Sequence, residues 1–112
     1  MLFYEFEAGN KVYKLRLNTR NIVSLEKAIN TSPLGIFGTG DRMPTVTEMV
    51  KVLHCSLQQY QHGITLDEAY NIFDDYLEDG NTSVDFISVI VEVYKVSGII
   101  KNDTRGKEVK NA

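Results

Sequence analysis

Leu2-Phe3-Tyr4-Glu5-Phe6-Glu7-Ala8-Gly9-Asn10-Lys11-Val12-Tyr13-Lys14-Leu15-Arg16-Leu17 is the stretch that decides the architecture. Leu2, Tyr4 and Phe6 alternate with Phe3, Glu5 and Glu7; Tyr13, Leu15 and Leu17 alternate with Val12, Lys14 and Arg16. A period of two over two such runs predicts antiparallel strands, and Gly9-Asn10 suits a two-residue turn in which both residues take φ > 0. Closing the turn there sets Phe6 opposite Tyr13, Tyr4 opposite Leu15 and Leu2 opposite Leu17. On the other face Glu5 meets Lys14 and Phe3 meets Arg16. One face is apolar and the other charge-matched, so a one-residue slip would be heavily disfavoured. A lone hairpin is marginal in water, and its apolar face therefore needs helices beneath it.

The helices are read from their starts. Thr19 is expected to cap a helix that reaches about Asn30, with Ile22, Leu25 and Ile29 on one face. Ser32-Pro33 opens a short turn, Leu34 to Phe37, and Gly38 to Asp41 form a loop. Thr45 with Glu48, Thr65 with Glu68, and Thr82 with Asp85 each have capping-box spacing ahead of an apolar run. Gly63, Gly80 and Gly98 are expected to stop the three helices that follow. The last of these is apolar on most sides: Val84, Phe86, Ile87, Val89, Ile90, Val91, Val93, Tyr94 and Val96. It is therefore placed innermost. The fold class is α+β, mostly α: an N-terminal hairpin packed on a bundle of about four helices, as one domain over residues 1–100.

Composition narrows the function. The 112 residues carry a net charge of −3, split as −5 over residues 1–100 and +2 over 101–112. An acidic body disfavours a phosphate backbone as the main partner, and the basic end reads as a disordered tail. The N-terminus lacks the basic start of a signal peptide, and no apolar run reaches the ~18 residues of a membrane span. Cys55 is the single cysteine, so the fold does not depend on an oxidising compartment.

No constellation supports chemistry. With its glycine at Gly80, an EF-hand loop would start at Asp75 and put Leu77 at position 3 and Phe86 at position 12, where oxygen ligands belong. Starting at Asp74 puts Asp79 where the glycine should be. His54, Cys55 and His62 are too few for a closed zinc site, and Cys55 has no evident base. Gly35, Gly38 and Gly40 lack the Gly-Lys-Ser/Thr of a phosphate loop. The expectation is a binding protein with no catalytic, cofactor or metal site. The candidate partner-binding residues are Ile36, Phe37, Tyr94, Ile99 and Ile100: two in a glycine-flanked loop, one near the end of the last helix, two just past its Gly98 stop. They would form an apolar groove, or else close the bottom of the chain's own core.

The order of these features resembles the small tail assembly chaperones of long-tailed phages and prophages, to which small gene transfer agent tail proteins are related. The resemblance covers roughly residues 2–100. It is carried by Lys14-Leu15-Arg16-Leu17, Ser24-Leu25-Glu26-Lys27-Ala28, Gly63-Ile64-Thr65-Leu66-Asp67-Glu68 and Asp74-Asp75-Tyr76-Leu77-Glu78-Asp79-Gly80. It implies a non-catalytic scaffold in the bacterial host cytoplasm. Such a protein binds tape-measure protein, with the tail tube protein a second candidate, and is absent from the finished particle. Many such proteins also exist as a longer frameshifted product. Monomer or weak homodimer is expected, with no nucleic acid and no membrane. A structural tail or head–tail joining protein, or a helical adaptor of the host, are the alternatives.

Overall fold

The computed structural model describes residues 2–101; apart from Lys101, the basic tail expected at 101–112 lies outside the described residues. The elements run β1 (Tyr4–Ala8), β2 (Lys11–Leu15), α1 (Thr19–Ile29), a 3-10 helix (Pro33–Phe37), α2 (Val46–Leu57), α3 (Leu66–Glu78) and α4 (Ser83–Val96). This is the α+β, mostly helical architecture read from the sequence.

The hairpin has the predicted register. Tyr4 pairs with Leu15, Glu5 with Lys14 and Phe6 with Tyr13. Gly9 and Asn10 both take positive φ, 58° and 64°, which matches the right-handed twist of the strands. Phe6, Ala8, Leu15 and Leu17 are buried on the inner face, while Leu2 is exposed. Phe6 drives the docking. Its ring lies 5.1 Å from Tyr76 and 5.7 Å from Phe86, and Phe73 lies 5.1 Å from Phe86. Most of these rings meet edge to face, the arrangement the ring quadrupoles favour. Four aromatics from β1, α3 and α4 thus pin the hairpin to the bundle.

All three threonine capping boxes form, each with the threonine hydroxyl accepting from the N3 amide and the N3 carboxylate accepting from the cap amide. The first helix differs from expectation. Its cap is Asn18, paired reciprocally with Asn21, so Thr19 is already helical. Asparagine and threonine are both good caps, and Asn21 at N3 decides for Asn18. α2 also ends earlier than its glycine. It stops at Leu57, and the Gln61 amides close on the Leu57 carbonyl before the chain reaches Gly63.

α2 is the innermost helix, not α4. It packs on α1, α3, α4 and β2, and Met49, Val50, Val52, Leu53, Cys55, Ser56 and Leu57 are all buried. On α4, Val84 is exposed and Ile87, Val91 and Val96 are half-covered. The polar residues of α2 disguise its position. Ser56 folds its hydroxyl back onto the Val52 carbonyl at 2.8 Å, which lets it sit in the core at no cost in unmade hydrogen bonds. Lys51 reaches the Ala28 carbonyl at the end of α1, and His54 meets the Ile64 carbonyl at the entry to α3.

Candidate interaction surfaces

The five residues singled out from the sequence divide into two groups. Ile36 and Tyr94 are completely buried, whereas Phe37, Ile99 and Ile100 are half-buried and pack against the core. Tyr94 joins them. Its hydroxyl donates to the Pro33 carbonyl at 2.8 Å, its ring meets Phe37 edge-on at 6.4 Å, and its carbonyl accepts from the Ile99 amide at 2.9 Å. Burial, and then the charge of Glu48, push the Tyr94 hydroxyl well above the usual phenol range, so it remains a donor.

Helix type explains which residues face outward. A 3-10 helix has three residues per turn, so positions i and i+3 share a side. Pro33 and Ile36 face the core, Leu34 faces outward, and Phe37 on the same side is half-buried against Tyr94. Leu34, 45% exposed, therefore extends the outward apolar surface beside half-buried Phe37, and Ile36 does not. The segment is not a loose glycine loop either. A Cβ at Gly35 would collide with the Thr31 side chain, so that glycine permits close approach. Arg42 holds the far end, donating to the Ile36 carbonyl at 2.6 Å while paired with Glu48 at 3.1 Å.

The hairpin offers a second surface, on its edges. The turn makes Ala8 and Lys11 the first hydrogen-bonded pair, so the amides and carbonyls of Val12, Lys14 and Arg16 point away from β1. Those of Glu5 and Glu7 point away from β2. The β2 edge is closed at Lys14 and at the Arg16 amide, while exposed Val12 makes no outward backbone hydrogen bond to another described residue. Gln61 bonds both the amide and the carbonyl of Lys14, at 2.7 and 2.9 Å, and the Arg16 amide donates to the Ser56 carbonyl at 3.0 Å. One side-chain amide thus imitates a neighbouring strand. At the β1 edge Asp79 accepts from the Gly9 amide at 2.9 Å. Glu5 and Glu7 make no backbone hydrogen bond outward to another described residue. Beside this open stretch lies a groove of about 580 Å³ between β1 and the α3–α4 connection.

Asp79, His54 and Cys55, from the other candidate clusters, have structural positions. Among the described residues no group of three or more His, Cys, Asp or Glu side chains is placed to hold a metal ion. Asp79, which falls within either EF-hand frame, accepts from the hairpin turn instead. Cys55 is buried, and desolvation pushes its thiol up to about 11, away from the thiolate form a nucleophile needs. Among the described residues no helix is long and apolar enough to cross a membrane.

Comparison with known proteins adds a family. The model described as "Family of unknown function (DUF6096)" matches residues 5–112. The chain belongs to that family. The match covers every element from the hairpin onward, so the free edge of β1 and the 3-10 helix both lie within the DUF6096 region. No curated protein and no solved structure matches the chain.

Proposed function

We propose that this DUF6096 protein is a tail assembly chaperone of a long-tailed phage or prophage: a non-catalytic protein of the host cytoplasm that covers apolar surface on tape-measure protein during tail morphogenesis and leaves before the particle is complete. The observation that carries the reading is the half-covered apolar set around Tyr94. Phe37 meets the buried ring edge-on, Ile99 and Ile100 are half-buried just past the helix that carries it, and Leu34 is exposed one 3-10 turn before Phe37. A chaperone must present such a surface to hide a partner's apolar residues, and a charged rim keeps the free protein in solution. Arg42, Glu48 and Lys101 lie near this set in the chain. The resemblance of element order and of the phrases at 14–17, 24–28, 63–68 and 74–80 supplies the partner class. Tail tube protein is the second candidate partner.

The experiment is co-expression with tape-measure protein and capture through a tag on the latter. Leu34→Ser, at an exposed position, should weaken capture while leaving the melting temperature nearly unchanged, and adding Ile100→Ser should abolish capture at a modest loss of stability. Capture that survives places the partner elsewhere, and a chaperone found by mass spectrometry in purified particles favours a structural tail protein instead.

A further inference from the structure

The two edges of the hairpin are finished differently, and the difference is specific. On β2 both outward backbone groups of Lys14 are bonded by Gln61 and the Arg16 amide donates to Ser56, which leaves Val12 as the open position of that edge. On β1 the amides and carbonyls of Glu5 and Glu7 face an open groove. An exposed strand edge is a template for another strand, and proteins normally block it. We propose that the β1 edge is a docking site for an extended segment of another protein carrying lysine or arginine at alternate positions, which adds to the hairpin as a third strand.

Charge selects the occupant. Glu5 and Glu7 sit on the edge strand itself and Asp79 stands at its turn end; Lys14 lies opposite Glu5 but places its ammonium over the Phe3 ring, 5.0 Å from the centroid. Glu92 lies close enough to Tyr4 to raise its hydroxyl, after burial, above the ordinary phenol value. A second copy is disfavoured, because pairing two β1 edges antiparallel sets Glu5 and Glu7 against their own counterparts, and like charges directly opposite are destabilising. The same carboxylates favour lysine or arginine facing them. Nucleic acid is excluded by the same field.

The groove provides for the intervening side chains. Successive residues of an added strand point to opposite faces, so a segment whose basic residues face Glu5 and Glu7 turns the alternate ones toward Tyr4, Tyr76, Asn81 and Val89. The hydroxyls of Tyr4 and Tyr76 make no hydrogen bond to another described residue, which leaves two donors in the groove wall. Backbone pairing then gives affinity and the alternate side chains give selectivity, as in other strand-addition sites. This surface is separate from the tail-chaperone reading: Leu34, Phe37, Ile99 and Ile100 do not line the groove.

The test titrates the full chain, labelled with nitrogen-15, with acetyl-Thr-Lys-Val-Lys-Val-Lys-Thr-amide up to millimolar concentration. The expected result is a saturable shift centred on the Glu5 and Glu7 amides, together with slowed exchange of both. The peptide with glutamate in place of lysine should bind at least about tenfold more weakly. Glu5→Gln with Glu7→Gln should remove that preference while leaving the melting temperature unchanged. Methylating the peptide amides that face β1 should abolish binding, and methylating the alternate amides should not. No saturable shift at Glu5 and Glu7, or equal binding of both peptides, overturns the proposal. So does slow exchange of the two amides in the free protein. If that protection is independent of concentration the chain covers its own edge; if it grows with concentration a second copy does.

Discussion

Tyr94 and Pro33 are joined by a hydrogen bond of 2.8 Å across 61 positions of sequence, with both residues buried. The bond ties the 3-10 helix to α4 and holds Phe37 edge-on to the tyrosine ring. Removing only the hydroxyl leaves the Pro33 carbonyl buried and unpaired. Tyr94→Phe should therefore cost about 1–3 kcal/mol in urea unfolding. A loss below about 0.5 kcal/mol would mean that water or a shifted backbone replaces the bond.

The centre of the core sets a second expectation. Leu53 on α2 and Ile90 on α4 are both completely buried. Truncating either to alanine should cost about 2–5 kcal/mol, set by how far the site collapses. A near-neutral Leu53→Ala would contradict the central position of α2.

Gln61 is expected to matter beyond its own helix end. Gln61→Ala removes both bonds to Lys14 and the side-chain bond to the Leu57 carbonyl. The loss should be about 1–2 kcal/mol. The specific readout is hydrogen exchange, in which the Lys14 amide should speed up while the amides shared by β1 and β2 remain slow. If Lys14 exchanges at the same rate in both proteins, Gln61 does not close that edge.

These outcomes also show what the sequence made legible. The hairpin register was readable because Gly9-Asn10 allows one closure and the alternation then leaves one face apolar. The helix starts were readable because a capping box is a local pattern of two residues, and three of them stand as expected. The depth of α2 was not, because the polar heads of Lys51, His54 and Ser56 find partners that lie far off or within the backbone. The outward face of the 3-10 helix was missed for a related reason. Residues 33–37 give no periodicity long enough to separate three residues per turn from 3.6, so the sequence pairs Ile36 with Phe37 where the structure pairs Leu34 with it. The open edge of β1 is not legible either, since it depends on which distant residues reach Glu5 and Glu7, and among the described residues none bonds their outward backbone groups.

Acid should act through the helix caps. Glu48 is pushed up by partial burial, but its bonds to the Thr45 amide and to Arg42 outweigh this and hold it below its ordinary value of 4.5. Glu68 is lowered by its bonds to Thr65. A carboxylate whose folded value is depressed contributes stability that is complete above its unfolded value and is lost as pH falls through the folded one. Stability should therefore decline below about pH 4.5. Glu48→Gln, which keeps the cap geometry, should flatten that decline. An unchanged profile would remove Glu48 from the account.

Cys55 should be inert toward thiol reagents in the folded protein. Its thiol is buried and stays protonated at neutral pH. Labelling should require unfolding, and fast labelling of the native protein would show that α2 opens locally.

The ring contacts between Phe6 and Phe86 join residues 80 positions apart, and the Leu17 amide is bonded to the Ser97 hydroxyl across the same interval. During synthesis the hairpin is thus made first and finds its floor last. At roughly 5–20 residues per second the strand pair waits roughly 4–16 s for α4 to be made, with Phe6 and Leu15 facing water or whatever else is at hand. A ribosome that stalls before Phe86 leaves a chain whose opening apolar face has nowhere to go. The same face is then open to cellular chaperones and proteases, and survival of the newborn chain depends on how quickly α4 follows.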